Sequence, residues 1–201
     1  MDLERLQRYL DAGRDPAAPV ASRGVVMPGV VYFATESPVW GGGRAFYDPA
    51  ADGSVYARAH LIGLGQFADL AAQEMYRLPG AETEAETDIG LGLGLDLDEV
   101  VRRGRVRLGP GRYETVVRVG EVGRVPMVTF TAPWRVGEVE LRRPSGPYLR
   151  HFVRGLRAVG GRSDLRIARY LAACPGAAGE WAVHDLLALM GAEPPDSHTF
   201  G

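Results

Sequence analysis

Val55-Tyr56-Ala57-Arg58-Ala59-His60-Leu61-Ile62, followed by Leu64-Gly65-Gln66-Phe67-Ala68-Asp69-Leu70-Ala71-Ala72-Gln73-Glu74-Met75-Tyr76-Arg77, is the stretch on which the fold turns. The first run alternates and carries aromatic and β-branched residues, so it reads as a strand. In the second, Leu64, Phe67, Leu70 and Ala71 recur at three-and-four spacing and mark one stripe of a helix. Glu74 continues that stripe, and Gln66, Asp69, Gln73 and Arg77 fall on the opposite, solvated face. An ionised carboxylate drawn out of water needs partners or surrenders its charge, and such a group can shuttle a proton. Two readings of Glu74 stand: a general base, or a flexible side chain at a helix end that reaches back to solvent.

Outward from this stretch, Leu3, Leu6 and Leu10 share a face, which predicts a helix over 2–12 stopped by Gly13 and Asp15-Pro16. Val25 to Ala34 reads as a buried strand with a bend at Pro28-Gly29. A glycine loop, Trp40-Gly41-Gly42-Gly43-Arg44, then feeds another short strand. Residues 80–98, rich in Glu, Thr and Gly-Leu repeats, read as a mobile loop. Tyr113 to Val119 and Val125 to Thr131 form a hairpin around Glu121-Val122-Gly123-Arg124. Helical patterning runs from Tyr148 to Met190, with breaks at Gly160-Gly161 and Pro175-Gly176. The pattern predicts an α+β fold: a small mixed, barrel-like sheet with one Glu-bearing helix, and helices gathered at the C-terminus. Residues 1–140 read as one domain, 141–190 as a helical extension packed on it, and 191–201 as a flexible tail.

With 46% hydrophobic and 24% charged residues over 201 positions, the chain has the composition of one globular core. A net charge of −2, without long runs of one sign, gives no electrostatic footprint for nucleic acid. No window approaches the roughly 20 apolar residues a membrane-spanning helix needs, and Met1 to Leu6 carries no apolar signal core. All basic residues counted with lysine, 23 in number, are arginine, and asparagine is absent as well. That excludes a lysine Schiff base, a phosphate loop ending in Gly-Lys-Ser/Thr and N-glycosylation. The single cysteine, Cys174, rules out an intramolecular disulfide and fits a cytoplasmic location.

Spacing tests the remaining chemistry. His60, His151, His184 and His198 are scattered singly, with no His-x-x-x-His pair, so no metal site and no cofactor is expected. No Gly-x-Ser-x-Gly elbow occurs, and Ser37 and Ser145, beside prolines, read as turn or cap residues. Gly41, Gly42 and Gly43 lack a following lysine and open no helix. Their use is close backbone approach, to a ligand or to a neighbouring strand.

The order of strand, Glu-bearing helix and hairpin resembles the γ-glutamylcyclotransferase family. The likeness rests on Val55 to Ile62 followed by Gln66 to Glu74, and runs from Tyr32-Phe33-Ala34 through Pro126-Met127-Val128-Thr129-Phe130-Thr131-Ala132-Pro133, in the manner of actinobacterial members. The resemblance implies that Glu74 is the catalytic acid/base. It implies that a γ-glutamyl amine or peptide closes on its own α-amine, giving 5-oxoproline and a free amine without metal or nucleophile. Trp40, Gly41, Gly42, Gly43, Arg44 and Tyr113 are then candidates for substrate binding, Arg44 against a carboxylate. A small-molecule partner is expected, no nucleic acid and no membrane, with homodimerisation left open.

One departure stands out: the family's Tyr-Gly-Ser-Asn loop is absent. The expectation is that Met1 is an internal methionine and that the first strand and loop precede it, which the upstream codons test. The alternatives are an inactive member of the fold that binds a metabolite or protein partner, and an accessory acyl-transfer role in biosynthesis.

Overall fold

The computed structural model describes residues 3–75 and 96–191. Helix α1 (Leu3–Asp11) buries Leu6 and Leu10, as the leucine spacing predicts. Strand β1 (Ala21–Pro28) ends at Gly29, whose φ of 99° is open to glycine and strained for other residues. A Cβ there would also collide with the Asp48 carbonyl oxygen. The run expected as one strand, Val25 to Ala34, is therefore two. β2 (Val30–Ser37) leaves the bend and pairs with β3 (Gly42–Asp48), while β1 pairs with β4 (Ser54–Leu61).

Helix α2 (Leu64–Glu74) follows β4 directly. The part of the expected loop that is described, residues 96–98, belongs instead to helix α3 (Leu97–Arg103), which Asp96 caps by accepting from the Glu99 N–H. The rest of that loop lies outside the described residues, as does the expected tail from 192 onward. β5 (Arg105–Arg107), β6 (Thr115–Val122) and β7 (Val125–Thr131) form an antiparallel sheet in that order. Helices α4 (Gly146–Val159), α5 (Asp164–Ala173) and α6 (Val183–Gly191) complete the chain.

The molecule is thus mixed α+β. Its described strands make three separate ladders, of two, two and three strands, and none closes into the expected barrel-like sheet. The reason is local: the Gly29 bend hands the two halves of one apolar run to different partners. The ladders with a described register are antiparallel rather than mixed.

The described residues divide into two compact units, one drawn from Met1–Val31 and Phe46–Val139, the other from Tyr32–Ala45 and Glu140–Gly201. In the first, β6 is apolar on both faces. Val116 packs with Val100, Phe67 and Phe130, whereas Val117 and Val119 pack with Tyr47, Val55 and Met27 on the other side. A strand covered on both faces reads as a nearly continuous run, and Thr115-Val116-Val117 is such a run. In the second unit, Leu149, Ile167, Leu171 and Leu186 are fully buried, and the Phe33 ring meets Tyr148 and Phe152 edge-on. Ser145 and Ser163 cap α4 and α5 through their hydroxyls.

Candidate functional site

Helix α2 carries Glu74 in its last turn; Leu70 and Ala71 are buried and Phe67 packs in the core as its pattern predicts, but part of the polar side is covered as well. Gln66 and Asp69, expected in solvent, are 5% and 3% exposed, while Leu64, expected inside, is 44% exposed. The physical reason is that the chain after α1 docks on the polar side of α2. Gln66 accepts from the Gly63 N–H and donates to the Asp15 and Ala17 carbonyls. Asp69 accepts from the Arg14 backbone N–H and from its guanidinium, at 2.8 and 2.9 Å. Gln73 donates to the Tyr9 carbonyl at 2.9 Å. Polar side chains with this many partners can be buried without penalty.

Glu74 itself is half-buried. A carboxylate in the last turn of a helix meets the negative end of the helix dipole and requires a donor. Tyr9, from α1, supplies it: its phenol interacts with both Glu74 and Arg5. Burial first, then the Glu74 charge, push the Tyr9 hydroxyl above its ordinary value, against the weaker pull of Arg5. The phenol therefore stays protonated and donating at neutral pH. Arg5 and Tyr9 are four residues apart on α1 and so lie on one face.

Tyr113 belongs to the same unit. Its ring stacks on Phe46 at 5.3 Å, and Trp134 meets Phe46 edge-on at 5.6 Å. The neighbouring Glu114 is buried against the Gly109 to Gly111 turn and accepts from the Gly111 N–H at 2.6 Å.

Trp40, Gly41, Gly42, Gly43 and Arg44 stand in the other unit. Trp40 stacks on Tyr148 and lies edge-on to His151, at 5.5 and 4.6 Å. The two glycine uses left open by the sequence are separated by what a Cβ would strike. At Gly43 it would run into the Arg142 carbonyl, and at Gly42 it would come within 2.7 Å of the Arg143 carbonyl. The Gly43 N–H donates to that Arg143 carbonyl at 2.8 Å. Gly42 and Gly43 thus serve close approach to the unit's own backbone. Gly41, with φ of 63° and nothing near its Cβ direction, serves the turn. Arg44 has one guanidinium nitrogen, Nη1, buried without a hydrogen-bond partner.

Sequence reasoning missed Tyr9, Arg14 and the pairing of Ser22 with His60, whose Oγ and Nδ1 are 2.8 Å apart. Only the i to i+4 spacing of Arg5 and Tyr9 gave a local signal. Among the described residues no three His, Cys, Asp or Glu side chains gather as metal ligands, and no helix is long and apolar enough to cross a membrane. No family model matches the chain, and neither a curated protein nor a solved structure matches it.

Proposed function

We propose that the chain is a γ-glutamylcyclotransferase-like enzyme, with Glu74 as the proton-transfer group. One observation carries the reading: Glu74 ends the helix that follows the β4 strand, half-buried and in contact with the Tyr9 phenol. The Glu74 carboxylate takes a proton from the substrate's α-ammonium, and the freed amine attacks the γ-carbonyl. The ring nitrogen gives up its second proton to solvent, and the tetrahedral centre collapses as Glu74 returns the first to the leaving nitrogen, so the C–N bond breaks and 5-oxoproline and an amine depart. Tyr9 holds the carboxylate in place between these two transfers. On this reading the substrate is a free γ-glutamyl amine or peptide of the cytoplasm, and Tyr113 is a candidate for lining its site.

A second reading is a non-catalytic member of the fold that binds a small metabolite or a protein partner. Gly42 and Gly43 face their own chain, so of the two uses left open for them they take the approach to backbone, and the glycine loop lends no support to a substrate site.

Release of 5-oxoproline from a panel of γ-glutamyl amides distinguishes the two. The enzyme reading expects turnover that Glu74→Gln lowers on the order of 10²- to 10⁴-fold at unchanged thermal stability. A folded chain that turns over no member of the panel overturns it in favour of the binding reading.

A further inference from the structure

Strand β1 pairs with β4 without a bulge, from Ala21 opposite Leu61 to Pro28 opposite Ser54. The next rung is bonded, the Gly29 N–H donating to the Gly53 carbonyl at 3.2 Å. Bonded and non-bonded pairs alternate along an antiparallel ladder, so counting back by twos gives Met27, Val25 and Arg23 to the bonds with β4. The backbone N–H and C=O groups of Ser22, Gly24 and Val26 then point the other way, to the edge of the ladder. Among the described residues no strand pairs with that edge. Ser22, Gly24 and Val26 are all exposed, Val26 at 58%.

An open edge is a template for a further strand, and edges are ordinarily blunted by shortness, charge, proline or a bulge. The other described sheet shows such defences: β5 has three residues, while β7 carries Pro126 and pairs across a register shift between Arg118 and Gly120. Over the eight residues of β1 the only features of this kind are Arg23 and the terminal Pro28. The groups on its edge are also complementary to themselves. Turned about a two-fold axis at Gly24, a second β1 lies antiparallel to the first, with Gly24 opposite the partner's Gly24 and Ser22 opposite the partner's Val26. Each outward N–H of the three residues then meets an outward carbonyl. Pro28, which has no N–H to give, falls outside the bonded rungs. Arg23 faces the partner's Val25, so like charges are not set directly opposite one another.

We propose that the β1 edge pairs with the β1 edge of a second copy of this chain, joining two β1–β4 ladders into one antiparallel sheet. The pairing occupies both β1 edges, so the assembly closes as a two-fold dimer. Its interface is one strand wide on each side, which makes the dimer a dissociating one, filled at high protein concentration and emptied at low. This goes beyond the cyclotransferase reading and uses none of its residues.

The test is sedimentation of the full chain over about a hundredfold range of concentration, with residue-resolved amide exchange at both ends of the range. A monomer–dimer equilibrium is expected. The Ser22, Gly24 and Val26 amides slow as the dimer fills, whereas those of Val25 and Met27, already bonded to β4, change least. Val26→Pro removes an N–H that β4 does not use, and is expected to weaken the dimer about tenfold or more while the dilute chain keeps its unfolding temperature. Gly24→Cys places two thiols on residues whose Cα atoms stand about 5.5 Å apart across the axis, and is expected to give a disulfide-linked dimer on mild oxidation that the parent does not give. A parent that stays monomeric throughout overturns the proposal, as does growth past the dimer or a dimer that Val26→Pro leaves intact. If Val26→Pro fails to fold, the other two readouts decide: a dimer without slowed exchange at Ser22, Gly24 and Val26, or without the Gly24→Cys cross-link, is held by another surface.

Discussion

At the scale of single residues, Asp69 shows how a charge becomes part of a core. Burial pushes its carboxyl up, but the hydrogen bonds and charge of Arg14 outweigh burial and hold it below the usual carboxylate range. A depressed folded value means the contribution to stability is complete above the unfolded value of about 3.9 and is lost as pH falls through the folded one. Asp69→Asn is expected to cost about 1 to 3 kcal/mol at neutral pH and to flatten the acid side of the stability curve. Denaturant melts of parent and variant at pH 7 and in acid check both parts. Thr35 is the opposite case. Its φ of 52° is rare for a β-branched residue, and its hydroxyl is buried without a hydrogen-bond partner. Replacing it with glycine, which tolerates that backbone, is expected to stabilise the chain by about 1 kcal/mol, seen as a raised unfolding temperature.

At the scale of elements, α2 is held by its polar side as well as by Phe67, Leu70 and Ala71. Gln66→Ala removes the partner of the Gly63 N–H and of the Asp15 and Ala17 carbonyls, and is expected to cost about 1 to 2 kcal/mol. Leu64→Gln, at an exposed position, is expected to change stability by less than about 0.5 kcal/mol. The amphipathic pattern alone predicts the reverse order, so the pair of unfolding curves separates the two accounts. The β2–β3 turn offers a second contrast. Gly43→Ala drives a methyl into the Arg142 carbonyl and is expected to lose about 2 kcal/mol or more, whereas Gly41→Ala meets only backbone strain of about 1 kcal/mol. Thermal melts of the two variants give that order directly.

At the scale of the whole molecule, each unit has its own buried centre, and Cys174 reports on one of them. It is buried, and burial pushes its thiol up to about 12. Since the thiolate is the reactive form, Cys174 is expected to resist a thiol reagent at neutral pH in the native protein and to label as that unit opens. Labelling rates that fail to rise with denaturant, or that match those of a free thiol, would contradict this. Much of the layout on which these units are built was legible beforehand. α1, the β4 strand leading into α2, and the β6–β7 hairpin follow from hydrophobic period and turn residues. So do the helical breaks at Gly160-Gly161 and Pro175-Gly176. Helix α3 was not, because seven residues with a single fully buried side chain give too short a period to read.

The sequence by itself determined which segments are helix and strand wherever period and punctuation agreed, and it placed Glu74 on the helix after β4. These are local properties, set by side-chain spacing and backbone preference within a few residues. Only the tertiary structure decided that α2 buries Gln66 and Asp69 in place of Leu64, because the cost of burial depends on partners such as Arg14, 55 residues away. It alone split Val25 to Ala34 between two ladders. It alone brought Tyr9 to Glu74 and Ser22 to His60, since the register of strands and the docking of helices join residues that no local pattern connects.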